Sequence, residues 1–237
     1  GKAEPIFRET IASLREDLER DAIDVVDLGS SYGINAALLT TDLSMDDLYA
    51  HYNDPAVSDL SRDELLERDR RYYDAHRTDE QIDFTGMDSS APAIQYAEDA
   101  GLIESGISRN LEEERLDPVE RESLRGTDLV ISTGAVGYVT ERTIGQVLDA
   151  AGEQQPWMAH CVLRMFAFDP CEEMLRERGY EVEQLDGTLR QRRFATEEER
   201  AHVLENLESI GVDPTGKETD GWYHANVYIA RPVAAMG

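Results

Sequence analysis

Two stretches of this sequence place acids, small residues and glycines at spacings that suit ligand binding. The first is Val25-Val26-Asp27-Leu28-Gly29-Ser30-Ser31-Tyr32-Gly33-Ile34-Asn35. An apolar run ends in an acid, turns through Gly29 to Gly33 and enters a helix-forming segment. Glycine turns sharply at little steric cost and lets a ligand lie against the backbone. The helix after it begins with free N–H groups. In an open parallel sheet this is where a nucleotide-like ligand binds. The second stretch is Phe84-Thr85-Gly86-Met87-Asp88-Ser89-Ser90-Ala91-Pro92. An acid at the end of such a strand accepts hydrogen bonds from two ribose hydroxyls. Asp88 also suits the N-cap of the helix that follows, although Ser89 or Ser90 is the better cap.

The elements that must position these residues alternate short apolar runs with helical stretches. That alternation predicts an α/β sheet with helices on both faces. Ile6 to Arg20 reads as a helix, with Ile6, Ile11, Leu14 and Leu18 on one face. Ile23 to Leu28 reads as a buried parallel strand. Ile34 to Leu39 opens the next helix. Ile82 to Met87 is a second strand, Ala91 to Ala100 a helix and Gly106 to Leu111 a weak third strand. Asp128 to Ser132 is a fourth strand, Thr140 to Ala150 a helix and Trp157 to Phe166 a fifth strand. Cys171 to Arg178 is a helix that stops at Gly179. Tyr180 to Leu185 and Trp222 to Ala230 are two last strands, paired as a hairpin around a long excursion. Glu197 to Ile210 forms an amphipathic helix within that excursion.

A dinucleotide fingerprint needs G-x-G-x-x-G, and Ser31 and Ile34 stand where its second and third glycines belong. A phosphate-loop GKS or GKT is absent. The run instead resembles motif I of class I S-adenosylmethionine-dependent methyltransferases, acid-x-Gly-x-Gly-x-Gly. Asp27, Gly29 and Gly33 match it, and Ser31 replaces the middle glycine. The second stretch resembles the same family's pattern of strand, Gly-x-Asp, Ser and helix.

The resemblance spans Ile6 to Pro232 and implies a single domain over residues 1–237. Its fold is a Rossmann-like three-layer sandwich: a seven-stranded, mostly parallel sheet with an antiparallel last strand. S-adenosyl-L-methionine is the implied cofactor and S-adenosyl-L-homocysteine the product. The implied cofactor residues are Asp27, Gly29, Ser30, Ser31, Gly33, Asn35, Asp88 and Ser89, with Asn110 and Leu111 beside the adenine. Thr133 and Gly134, after the fourth strand, lie against the cofactor and the reacting methyl.

Asp27 and Asp88 are 61 positions apart, where such βαβ units usually place the acid about 20 residues on. A helical insertion at about 40–81 accounts for the difference. It carries Tyr49, His51, Tyr52, Tyr72, Tyr73 and His76, and Leu65, Leu66, Tyr72, Tyr73 and His76 share helix faces. The insertion either packs against the domain or forms a lid or substrate wall, where aromatics suit a cationic substrate.

For catalysis, Tyr138 sits in a loop at the carboxyl end of a strand, where sites form in this architecture. His51 is a lid candidate and Arg164 suits an acidic acceptor, or else a surface ion pair. His160 and His224 read mainly as strand residues, Cys161 as buried core and His76 as a second lid candidate. Arg190-Gln191-Arg192-Arg193 reads as local ion pairing before an anionic-substrate handle. No cluster has metal-ligand spacing.

A net charge of −27 repels phosphate backbones and anionic membranes. The fourth-strand loop Thr133-Gly134-Ala135-Val136-Gly137-Tyr138 is not the Asn-Pro-Pro-Tyr type of base and glutamine methylation. The acceptor is therefore expected to be a small molecule, methylated on oxygen or nitrogen, such as a natural-product intermediate or metabolite. The alternatives are an NAD-type oxidoreductase and a non-catalytic S-adenosylmethionine-binding protein. Two cysteines, no signal-peptide pattern and no long apolar run suggest a cytoplasmic protein without membrane or nucleic-acid partners, and allow a homodimer. The start at Gly1 rather than Met reads as a cloning remnant or a trimmed domain.

Overall fold

The computed structural model describes residues 2–233, so Gly1 lies outside the described residues. Strands that carry apolar residues on both faces are largely buried on both, as a covered parallel sheet requires. β1 (Ile23–Leu28), β2 (Ile82–Met87), β4 (Leu129–Thr133) and β5 (Trp157–Leu163) are of this kind. β3 (Ser105–Ile107), β6 (Tyr180–Gln184), β7 (Leu189–Arg193) and β8 (Trp222–Pro232) complete one sheet among the described residues. Its order is β3-β2-β1-β4-β5-β8-β6, with β7 also on β8. Neighbours from β3 to β5 are parallel, and β8 is antiparallel to β5, β6 and β7. The strand order reverses between the parallel neighbours β1 and β4, which is where ligands settle in open α/β sheets.

Alternate strand residues feed two cores. Ile23, Val25, Leu129 and Ile131 pack with α1 (Glu4–Leu18), α2 (Ile34–Thr40) and α5 (Ala91–Asp99). Val26, Leu28 and Val130 pack on the opposite face with α7 (Glu141–Ala151) and α8 (Asp169–Glu177). The expected three-layer architecture is present.

The insertion contains α3 (Met45–Tyr52), a 3-10 turn at Pro55–Asp59 and α4 (Arg62–His76). Both helices start with a capping box, Ser44 with Asp47 and Ser61 with Glu64. Asp69 of α4 is fully buried and fastens the unit. Its carboxylate accepts from the hydroxyls of Tyr52 at 2.8 Å and Tyr96, on α5, at 2.6 Å. His51 Nε2 lies 2.8 Å from the same carboxylate.

Four details depart from expectation. β3 is shorter than Gly106 to Leu111, because β2 offers only Thr85 to Met87 as partners. The segment beyond it turns towards the cleft instead. A short helix, α6 (Pro118–Ser123), follows with a capping box on Asp117. β7 is an additional strand in the excursion, and its charged sequence suits a sheet edge. It continues the edge that β6 begins, so β8 pairs with two collinear segments rather than one. The expected helix of that excursion is α9 (Glu197–Ser209), whose Val203 and Leu207 join Tyr223 in the core.

Candidate cofactor cleft and adjoining cavities

The glycine turn is held by β2. The Met87 carbonyl accepts from the N–H groups of Gly29 at 2.7 Å and Ser30 at 3.1 Å. Gly29 has φ +75°, and a Cβ there would lie 2.6 Å from the Ala135 Cβ. Only glycine fits that gap between the first and fourth strand loops. Ser31 also adopts a positive φ, 49°. That explains why glycine suits the middle position of the motif, and serine bears a modest strain there.

Asp88 ties this turn to the start of α5. Its Oδ2 accepts from the Ser31 N–H at 3.0 Å and its Oδ1 from the Ser90 N–H at 2.9 Å. Each carboxylate oxygen keeps a lone pair for one further donor. The carboxylate of Asp88, not a hydroxyl of Ser89 or Ser90, takes the free N–H at the helix start; Ser90 is the N-cap by position and uses no side-chain bond.

Asp27 lies below the turn, 1% exposed. Asn35 Nδ2 reaches both of its oxygens at 3.1 Å and Thr133 Oγ1 at 3.3 Å. Burial pushes the Asp27 carboxyl up to about 7, against the Asn35 hydrogen bond and with help from the Asp88 charge. On the far rim Glu112 accepts from Thr140 Oγ1 at 2.8 Å and from the hydroxyl of Thr143, fixing the start of α7. Burial opposes its ionisation, but those hydrogen bonds prevail and hold its carboxyl below the usual range.

These groups frame a cavity of about 460 Å³ at the carboxyl ends of β1, β2 and β4. Gly29, Asp88, Ser89, Asn110, Leu111, Thr133, Gly134 and Tyr138 all line it, as do Arg109 and Glu112, which sequence reasoning missed. The Arg109–Glu120 pair at 2.7 Å offers a hindsight signal, because Glu120 belongs to the Asp117 capping box. Ser30 and Gly33 are buried beneath the turn and Ser31 is exposed on it.

A second cavity of about 680 Å³ adjoins on the α1 and α3 side. Asn35, Met45, Tyr49 and Trp222 are among its walls. A third, of about 280 Å³, is bordered by Tyr138, Leu163 and Tyr223. Thr133 lines all three.

Of the catalytic candidates only Tyr138 is on the cleft, 64% exposed and edge-on to Phe166. Arg164 is not. β5 ends at Leu163, and the Arg164 guanidinium turns into a buried pair with Glu218 at 2.6 Å and the Asp213 carbonyl at 2.9 Å. His51 is spent on Asp69 and stacks on Tyr72 at 3.8 Å, away from the cleft. His76 lies 2.8 Å from Asp42 at the surface. His160 is fully buried against Ser132, and burial pushes it down to about 4. His224 lies 3.0 Å from Thr188. Burial pushes both Cys161 and Cys171 up to about 12, leaving inert thiols.

No protein-family model matches the chain, and no curated protein matches it. Solved structures do. YcgJ of Bacillus subtilis superposes with a TM-score of 0.51 at 8% identity, over 96% of this chain and 100% of that one. The strand order, with an antiparallel β8 between β5 and β6, completes the match to the expected architecture. The chain has the class I methyltransferase fold. Two further solved structures overlap more loosely. The plantazolicin methyltransferase BamL, in complex with a triazolic desmethylPZN analog and SAH, gives a TM-score of 0.49 at 14% identity, over 98% and 86% of the two chains. A TehB-like SAM-dependent methyltransferase from Corynebacterium glutamicum gives 0.44 at 14%, over 92% and 85%.

Proposed function

We propose that this protein binds S-adenosylmethionine in the cleft between β1, β2 and β4 and transfers its methyl group to a small-molecule acceptor. The observation that carries this reading is Asp88. Its carboxylate closes onto the Ser31 N–H of the glycine turn while each oxygen keeps a free lone pair beside the cavity. That donor-poor, acceptor-rich end suits a ribose diol.

The residues present fit the cofactor. The absent Cβ at Gly29 leaves the first and fourth strand loops in close approach. Asn110 and Leu111 offer one polar and one apolar group for a base. Asn35 and Thr133 sit above the buried Asp27 carboxylate, a suitable seat for an ammonium group. When bound, the cofactor supplies an electrophilic methyl: an acceptor lone pair takes its carbon as the carbon–sulfur bond breaks onto sulfur.

The protein's part is alignment, which contributes much of the rate in such displacements. Thr133 lies between the cofactor cleft and both adjoining cavities, and Gly134 between the cleft and the smaller of them. Tyr138 borders the cleft and that smaller cavity and orients the acceptor. α3 contributes Met45, Asp46 and Tyr49 to the outer wall, the part of the insertion that acts as a lid.

Calorimetric titration with S-adenosylmethionine, S-adenosylhomocysteine and NAD tests the reading. The first two are expected to bind at about micromolar Kd, and Asp88→Ala to weaken them by tenfold or more, about 1.4 kcal/mol. Binding of NAD alone overturns it.

A further inference from the structure

Resting on the methyl-transfer reading above, we propose that the cavity of about 680 Å³ is the acceptor site and takes a small molecule bearing a carboxylate or phosphate, gripped by Arg190 and Arg193.

The chain has 50 Asp and Glu for 23 Lys and Arg, so a cation without a carboxylate partner is informative. Arg192, between the two, is paired with Glu199 at 2.6 Å. Among the described residues neither Arg190 nor Arg193 has an ion pair. Both are exposed on the wall of the cavity. Lys2 lines it as well. Of the acids there, Glu4 bonds Arg8 at 3.0 Å, which leaves Asp46 to oppose three cations.

The backbone shows that the arrangement is built. In a regular strand, residues three apart point to opposite faces. The pairing of β7 with β8 carries an irregularity between Arg190 and Arg193: Arg190 sits opposite His224, and Arg193 opposite Trp222. The extra residue re-aims one side chain, as bulges beside binding sites do. Both guanidinium groups thereby come over the same Trp222 ring, at 4.3 Å and 4.6 Å from its centroid. Both cations thus lie against one aromatic ring, and among the described residues no hydrogen bond occupies their side-chain N–H groups, which leaves those groups for an oxyanion.

The electrostatics agree. His224, facing Arg190 across the strand pair, is held below its usual range by burial first, then by Arg164, Lys217, Arg190 and Lys2. The cavity wall itself carries Lys2, Arg190, Arg192 and Arg193 against Glu4 and Asp46, so this flank is positive in a molecule of net charge −27. A local positive wall inside a negative protein selects and steers an anionic small molecule. Because Thr133 lines this cavity and the cofactor cleft alike, a molecule anchored at Arg190 and Arg193 extends towards the transfer point.

The test is calorimetric titration of the full chain, saturated with S-adenosylhomocysteine, with 4-hydroxybenzoate, phenyl phosphate and neutral 4-hydroxybenzamide. At least one anion is expected to bind about tenfold or more tightly than the amide. The combined change Arg190→Gln and Arg193→Gln is expected to remove that preference, and Arg190→Lys with Arg193→Lys to restore part of it. Arg115→Gln with Arg142→Gln, equal in charge but lining a different cavity, serves as the control and keeps it. Preference for benzoate over phosphate, or the reverse, names the oxyanion. Equal binding of anion and amide, an unchanged preference in the glutamine variant, or no saturable anion binding each overturns the proposal. S-adenosylhomocysteine titrated alone into wild type separates the two readings: its failure to bind sinks the cofactor assignment whatever the anions do.

Discussion

Replacing Asp27 with asparagine should make this protein more stable, by a margin that grows as pH rises from about 4 to about 7 and then levels off. Asp27 is 1% exposed, and burial lifts its carboxyl from 3.8 to about 7. The folded chain therefore holds this proton more tightly than the unfolded chain. Between those two values the folded state carries the extra proton, so unfolding free energy falls as pH rises. The shift is about three pKa units, each worth about 1.4 kcal/mol, so the ionised group costs up to about 4 kcal/mol above about pH 8. Asparagine has nearly the same shape, and its oxygen can still accept from Asn35. The variant should gain on the order of 2–4 kcal/mol over wild type at about pH 8 and almost nothing near pH 4. Urea unfolding of both proteins across this range measures the difference directly. Taking a difference matters, because His160 acts in the opposite direction: its lowered value costs stability as pH falls from 6.5 towards 4. Parallel stability curves for the two proteins would refute the reasoning. A carboxylate retained at such a cost is expected to serve binding, so the stabilised variant should also bind S-adenosylhomocysteine more weakly.

Three further outcomes follow from the buried polar groups. Asp69→Asn puts an amide N–H among the hydroxyls that donate to this fully buried carboxylate and should cost about 2–4 kcal/mol in urea unfolding; an effect below about 0.5 kcal/mol would contradict its anchoring role. Arg164→Leu leaves Glu218 buried without its partner and should cost about 3–5 kcal/mol while S-adenosylhomocysteine affinity of the folded protein stays within about twofold; a tenfold loss of affinity would return Arg164 to the site. His160 should stay neutral, its ring resonances in NMR spectra flat from about pH 8 down to about pH 5; titration near 6.5 would show that the core around it is open to water.

What the sequence discloses tracks how local the physics is. β1 and β2 fall on the expected residues, because Ile23, Val25, Val26 and Leu28 in one and Ile82, Phe84 and Met87 in the other mark strands covered on both faces. The turn at Gly29 is equally legible, since its φ of +75° and the close approach of Ala135 restrict residue type. β7 is not, because Leu-Arg-Gln-Arg-Arg reads as a solvated segment until β8 offers it an edge. The arginine cluster is visible in the sequence, as ion pairing before an anionic-substrate handle, but its geometry is not: only the irregular pairing with β8 brings Arg190 and Arg193 onto one tryptophan. Arg164 misleads in the reverse sense. Its place after β5 suits a site, but its partner Glu218 is 54 residues away and invisible to any local pattern. His51 likewise meets Asp69 only once α3 and α4 fold together.

A co-crystal structure with S-adenosylhomocysteine tests the central claim most directly. The account predicts ligand density in the cleft bounded by β1, β2 and β4, the ribose hydroxyls on the Asp88 carboxylate, the adenine beside Asn110 and Leu111, and the sulfur facing Thr133. Density at another site, or a ribose that leaves Asp88 bonded only to Ser31 and Ser90, would contradict it.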